Sequence, residues 1–403
     1  MLGFCKTFDE LPLTPSVQTF PSVGLENLGI IKVMNGTGTA TLDHGAFMRV
    51  EHSVDIPDYA NKATVFLNGW NLSYRGPDDQ HVVGLATLVG RVRLEGKKLT
   101  WNAMGILSDN DAAEAYAWTY HYTVIAWNDT ALNVLVNHDD TDNFCQPGTG
   151  ASDNFYFADN RETYTALSSF SSFLQNPDFP PNGPVAILPR GFGFSWTNDH
   201  KLLQLAYSLD HSEAFAEYGK KYKKAFDEIP APLPTPASTL DARFVSWNTY
   251  GILKDNSLRR EYLFGEMVSA VGGSDVGARQ PPFSILPLQS PSGDACIPQG
   301  DFHGVQAEDF VIENVPFDYA IPMLTGWELR YPCNDENVKE IGIWIDRWEY
   351  VKDPAVSTGR LSYTLSSVLH DKDNDPGHNR RHKVTILGLK PTSAVTAKPG
   401  APR

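Results

Sequence analysis

Apolar and polar positions alternate along much of the chain with a period of two, and the alternation recurs in a fixed form. Gly69-Trp-Asn-Leu-Ser-Tyr74, Gly191-Phe-Gly-Phe-Ser-Trp196 and Gly326-Trp-Glu-Leu-Arg-Tyr331 all read Gly, aromatic, x, Leu or Phe, x, aromatic. A period of two places the bulky residues on one face of a β-strand. Asp79, Asp199 and Asp335 follow, each ahead of an apolar run: Val82 to Leu88, Leu202 to Leu209 and Val338 to Ile345. A second word follows the first. Trp101-Asn-Ala-Met-Gly-Ile-Leu-Ser-Asp-Asn110 returns as Trp247-Asn-Thr-Tyr-Gly-Ile-Leu-Lys-Asp-Asn256, and more weakly as Leu361 to Asp371. Closing strands are predicted at Tyr122 to Trp127, Glu266 to Val271 and Lys383 to Leu389, and lead-in segments at Glu51 to Pro57, Gln175 to Pro180 and Glu313 to Phe317.

Words that recur in one order at similar spacing indicate an internal repeat. The spacing predicts three copies, at 45–135, 168–275 and 305–392. Residues 1–44 form a separate N-terminal segment with a strand candidate at Leu28 to Val33, and 393–403 form a disordered tail. The stretches 136–167 and 276–304, rich in turn-forming residues, read as connectors. Residues 212–239 read as an insertion in the middle copy, a helix with Phe215, Tyr218, Tyr222 and Phe226 on one face and then a proline-rich loop.

Five or six short strands per copy, without the helices that parallel crossovers require, predict an all-β fold of three tandem antiparallel sandwiches. An up-and-down barrel is the alternative. The units are too long for propeller blades.

This pattern, with a copy ending in Val124-Ile-Ala-Trp-Asn-Asp-Thr130, resembles the H-type lectin domain. That resemblance implies six-stranded antiparallel sandwiches that assemble as trimers or hexamers and bind N-acetylgalactosamine-type sugars near subunit interfaces. Three copies in one chain then imply a pseudo-trimer. The Asp-Thr ending occurs in the first copy only; the others end in Val271-Gly-Gly273 and Gly388-Leu-Lys390.

Composition narrows the classes of function. The 403 residues carry 33 Lys and Arg against 48 Asp and Glu, a net charge of −15, the wrong balance for nucleic acid or an anionic membrane. No apolar run is long enough for a membrane-spanning helix, and no apolar h-region follows Met1, so neither a span nor a secretory signal is expected. Cys5, Cys145, Cys296 and Cys333 are too dispersed to define a zinc ribbon or a disulfide framework.

Catalytic motifs are missing. Gly272-Gly-Ser-Asp-Val276 lacks the last glycine of a nucleophile elbow, Gly36-Thr-Gly38 reads as a hairpin turn, and Cys296 with His303 has no assignable oxyanion partner. Asp371-Lys-Asp-Asn-Asp375 alternates carboxylates as a calcium loop does, but Pro376 and His382 stand where an EF-hand needs Gly and Glu. A turn is the expected reading there, with a looser calcium loop the alternative. His378 and His382 would suit a metal only on a helix, and strand is expected. No cofactor or metal is therefore assigned. Aromatic rings can stack on a sugar's C–H face while Asp and Asn accept its hydroxyl protons. Trp118, Tyr120, His121, Asn128 and Asp129 have that chemistry and form the candidate ligand set, while Trp70 and its counterparts are expected in the core. The leading expectation is a non-enzymatic lectin-like protein that binds galactose- or N-acetylgalactosamine-type glycans or a protein surface and can oligomerise. The alternative is a structural or assembly component of a particle or secreted machine. A hydrolase with a site between copies ranks third.

Overall fold

The computed structural model describes residues 30–45, 47–109, 113–138, 156–159, 170–175, 184–196, 202, 204–211, 244–254, 261–279, 284–286, 305–331, 337–353, 355–372 and 378–390. These residues are all-β, with no helix among them. The expected helix and proline-rich insertion, the tail and all four cysteines lie outside them.

The strands run in three stretches. The first holds β1 (Ile31–Leu42), β2 (Met48–Asp55), β3 (Lys62–Tyr74), β4 (Gly84–Glu95), β5 (Lys98–Ser108) and β6 (Tyr116–Trp127). The second holds β7 (Leu135–His138), β8 (Tyr156–Asp159), β9 (Phe170–Gln175), β10 (Val185–Trp196), β11 (Gln204–His211), β12 (Phe244–Lys254) and β13 (Glu261–Gly272). The third holds β14 (Val276–Arg279), β15 (Ser284–Leu286), β16 (Gln306–Val315), β17 (Tyr319–Arg330), β18 (Glu340–Lys352), β19 (Gly359–His370) and β20 (Asn379–Leu389).

No sheet is built from one stretch. The orders are β1-β6-β3-β18-β19-β16, β2-β5-β4-β10-β13-β7 and β14-β20-β17-β11-β12-β9, with β8 added to β13 and β15 to β20. Every pairing is antiparallel. Each sheet has a seam where strands of two stretches meet: β3 with β18, β10 with β4, and β17 with β11. The first stretch thus joins the second, the second the third, and the third the first. Segment 31–42, expected as part of a separate N-terminal piece, pairs along the whole of β6. The two expected connectors carry β7, β8, β14 and β15, edge strands laid on β13 and β20.

Alternation explains which residues go where. On β6, Tyr116, Trp118, Tyr120, Tyr122 and Val124 turn into the main core, while Ile125 and Trp127 join a second apolar cluster with Phe66, Leu188, Met323 and Leu389. The aromatic after each motif glycine is deep in the core. Trp70, Phe192 and Trp327 touch pairwise at centroid distances of 5.4 Å (Trp70–Phe192), 5.3 Å (Trp70–Trp327) and 5.0 Å (Phe192–Trp327). The strands that carry them, β3, β10 and β17, therefore converge on one place.

A one-residue register shift precedes the glycine in each of those strands, between Leu67 and Gly69, Pro189 and Gly191, and Leu324 and Gly326. Such a bulge reverses which face the following side chains take. Here it redirects each strand from the second cluster to the aromatic triad. The extra residues, Asn68, Arg190 and Thr325, are polar and buried. Asn68 donates to the Thr123 hydroxyl at 3.0 Å and the Pro322 carbonyl at 3.1 Å, and accepts from the Leu324 amide at 2.8 Å, tying β3 to β17. Thr325 meets Thr385 at 2.8 Å, and Arg190 donates to the Val89 carbonyl at 3.2 Å. Buried polar groups need such partners, because leaving one unpaired costs about 1–3 kcal/mol.

Candidate functional site

The five residues of the expected ligand set occupy three different places. Trp118 and Tyr120 are 1% and 0% exposed, so neither offers a free ring face. Trp118 donates to the Thr87 hydroxyl at 3.1 Å, and the Tyr120 hydroxyl meets His52 Nδ1 at 2.8 Å. They are core residues because alternation turns them toward β5, where Gly105 leaves room for the indole. His121 falls on the opposite face for the same reason, stacked on Trp344 of the neighbouring stretch at 5.1 Å. Burial pushes its imidazole down to about 3. Asn128 and Asp129 belong to the turn after β6. The Asn128 side-chain oxygen accepts from the Thr130 amide at 3.0 Å and hydroxyl at 2.7 Å. Asn61 and Asp129 make a reciprocal pair, the Asp129 amide donating to the Asn61 side chain and the Asn61 amide to the Asp129 carboxylate.

Polar chemistry is concentrated instead at two of the three seams. Across β3/β18, Asn71 donates to Glu340 Oε1 at 2.7 Å, and Glu340 Oε2 lies 3.3 Å from His370 Nε2. Across β17/β11, Gln204 donates to Glu328 Oε1 at 2.7 Å, and Glu328 Oε2 lies 3.2 Å from the Arg381 guanidinium. The plan is one clasp built twice. An amide grips one carboxylate oxygen, a cationic group the other, and the two strands exchange the amide and acid roles. Register explains the match, since Asn71 sits opposite Gly342 two positions beyond Glu340, and Glu328 opposite Ala206 two beyond Gln204. At the β10/β4 seam the same register positions hold Gly193 and Gly84, so no clasp can form.

The first clasp is half-buried and polarised. Burial acts to raise the Glu340 carboxyl, but its hydrogen bonds from His370 and Asn71 outweigh this and hold it below the ordinary range. His370 is raised, chiefly by its hydrogen bond to Glu340, against the effect of burial. Its Nδ1 is fixed 2.7 Å from the Asp371 carbonyl.

A third group of ionisable residues lies on and beside β19 and β20. Ser367 Oγ is 2.8 Å from His378 Nε2, a spacing a nucleophile and its base would share. The hydroxyl is 0% exposed and also accepts from Arg380 at 3.1 Å, so no substrate can reach it in this conformation. His382 meets the Tyr363 hydroxyl at 3.1 Å. Both histidines lie on or beside a strand, facing inward, and no group of three metal-ligating side chains occurs among the described residues. Asp371 of the expected turn is described and buried, whereas 373–375 lie outside the described residues.

Sequence reasoning missed the clasps, although their signal was present. Asn71, Gly193 and Glu328 are the first x of the Gly-aromatic-x-Leu/Phe form. Alternation puts that position on the face opposite the buried aromatics. Comparison with family models, with curated proteins and with solved structures found no match.

Proposed function

We propose that the chain is three six-stranded units closed on one another as a pseudo-trimer, and that it is a non-enzymatic glycan-binding protein of H-type-lectin-like design. One observation carries this reading. Trp70, Phe192 and Trp327, which hold the same place in the three copies of the sequence motif, meet pairwise, and the three sheets around them repeat one order of strands. Each unit would contribute three strands to one sheet and three to the next. In the resembled family such units associate as trimers and take sugar near their interfaces. The matching place in this chain is a seam, and the β3/β18 seam offers the right groups. Glu340 and Asn71 retain acceptor capacity for sugar hydroxyls, and His370 can donate. The segments at 128–130 and 61 supply further polar groups at the end of β6.

A second reading is favoured by the burial of Trp118 and Tyr120 and by the mutual pairing of the clasp residues. It makes the units packing modules of a larger assembly. A glycan array probed with the intact chain, with and without calcium, separates the two. Selective retention on galactose- or N-acetylgalactosamine-ended glycans, lost in Asn71→Ala and Glu340→Gln but not in Asp309→Asn, supports the lectin reading. A blank array in both conditions removes it and leaves the packing reading.

A further inference from the structure

The interior of the last sandwich is built for charge where the first is built for aromatics. Arg380 lies between the sheets, 3% exposed. Its Nη1 donates to the Gln306 and Leu365 carbonyls, each at 3.2 Å, and to Ser367, while Nη2 reaches Glu308 at 3.3 Å. Two positions to either side along the chain are His378 and His382, both buried and both directed into the same interior. His382 packs against Phe310 at 4.6 Å, and its Nδ1 has no hydrogen-bond partner among the described residues. The Arg380 Nε is likewise without one.

The charge balance is lopsided. The groups facing the two imidazoles are Arg380 on β20, Glu308 on β16 and Tyr363 on β19, with His370 and Asp371 at the end of β19 and Glu340 beyond them on β18. The inward residues of β17 and β18, such as Leu329 and Ile343, are uncharged. Glu308, the one carboxylate bonded to Arg380 among the described residues, is 47% exposed. Burial first, and then the neighbouring Arg380 charge, keeps both imidazoles neutral at pH 7. The matching positions of the first sandwich hold Tyr116, Trp118 and Tyr120, with the single imidazole of His52 stacked on Trp101 at 4.5 Å and no guanidinium beside it.

We propose that the last sandwich is an acid-operated latch: protonation of His378 and His382 beside Arg380 parts β20 from β16 and β19 before the first sandwich loosens. Three like charges between dry sheets, with only one half-exposed carboxylate beside them, cannot all remain buried. β19 pairs with β18 and β20 with β17, the strands that carry the seams to β3 and β11, so the latch lies beside two of the three seams. This inference does not depend on glycan binding.

Amide hydrogen exchange on the intact chain at pH 7, 5.5 and 4.5, corrected for intrinsic rates, tests it. The expected result is a loss of protection of at least tenfold in 306–315, 361–370 and 379–389 while 48–55, 98–108 and 116–127 stay protected. Simultaneous loss in both sets, earlier loss in the first, or no loss in either overturns the proposal. In the double variant His378→Gln/His382→Gln the last set should stay protected at pH 4.5; opening at the wild-type pH shows that these imidazoles are not the trigger. Should that variant fail to fold at pH 7, imidazole NMR titration of the unaltered chain decides. Titration of both rings below pH 5, together with the onset of exchange, supports the latch, and titration near 6.5 with protected amides refutes it.

Discussion

The β3/β18 and β10/β4 seams join their strands with the same antiparallel register and hold them together by different means. At β3/β18 the outward positions carry Asn71, Glu340 and the stacked pair His121–Trp344. At β10/β4 they carry Gly193, Gly84 and Leu88, and close backbone approach does the work. The third seam is intermediate. It has the clasp of Gln204, Glu328 and Arg381, and Lys383 stands where His121 stands in β6 and Met267 in β13, opposite the motif glycine. One backbone plan thus accepts polar, apolar and mixed seams. The joint is set by strand geometry, and the side chains are free to diverge.

The motif glycines give the largest test of that comparison. A Cβ on Gly69 would lie 2.2 Å from Trp344 Cβ, and the residue sits at φ 147°, where only glycine is at ease. A Cβ on Gly191 would lie 2.1 Å from Leu88 Cβ, whereas on Gly326 the nearest atom is 3.1 Å away. Gly69→Ala and Gly191→Ala should each lose about 3 kcal/mol or more in urea unfolding, and Gly326→Ala about 1 kcal/mol or less. Equal losses at all three would mean that the seams are not separately tuned.

Lys383 gives the next largest effect. Burial pushes its ammonium down to about 8, although it donates to the Leu209 carbonyl at 3.1 Å. The unfolded chain holds that proton up to about pH 10.4. Folding with Lys383 charged is therefore penalised at pH 7, and the penalty fades as pH rises from 8 toward 10.4. Lys383→Met, copying Met267, should raise stability at pH 7 by about 1–3 kcal/mol. The difference between the two proteins should shrink by pH 10, which paired unfolding curves would register.

His121 and His370 pull the β3/β18 seam in opposite directions. His121, lowered to about 3, favours its neutral form in the fold, so stability is lost as pH falls from about 6.5 toward 3. His370 is raised, so its contribution is complete below about 6.5 and disappears as pH rises through the folded value. His370→Gln should flatten the pH dependence of stability above about 6.5, and His121→Phe should flatten it below about 6.5. The smallest effect is expected from the clasps. Glu340→Gln and Glu328→Gln should each cost about 1 kcal/mol, because these pairs are only partly shielded from water.

Strand periodicity made the all-β class readable before any coordinates, since the bulky residues of the three motifs alternate without interruption. The central placement of Trp70 was also legible, from the same alternation. Two things were not. The bulges at Asn68, Arg190 and Thr325 change the face without changing the pattern, because a polar residue ahead of a glycine reads as ordinary strand. The seams join residues more than 100 positions apart, and no local signal reports which edge finds which partner. Trp118 and Tyr120 of the expected ligand set lie on the core face of β6. Every second residue of β6 is aromatic from Tyr116 to Tyr122, and that regularity marks a core face.

The seam between β3 and β18 pairs Ser73 with Glu340, 267 positions further along, whereas β4 needs only the 111 positions from Gly84 to Ser195 before β10 arrives. At a synthesis rate of ~5–20 residues per second, the edge of β3 waits on the ribosome for on the order of 13–50 s with its hydrogen-bonding groups uncovered. A bare strand edge recruits neighbouring nascent chains. Along this one the outward side chains are Asn71 and Ser73, small and polar, beside Gly69. Asn71, which grips Glu340 in the finished seam, thus stands on an open strand edge until β18 has been made.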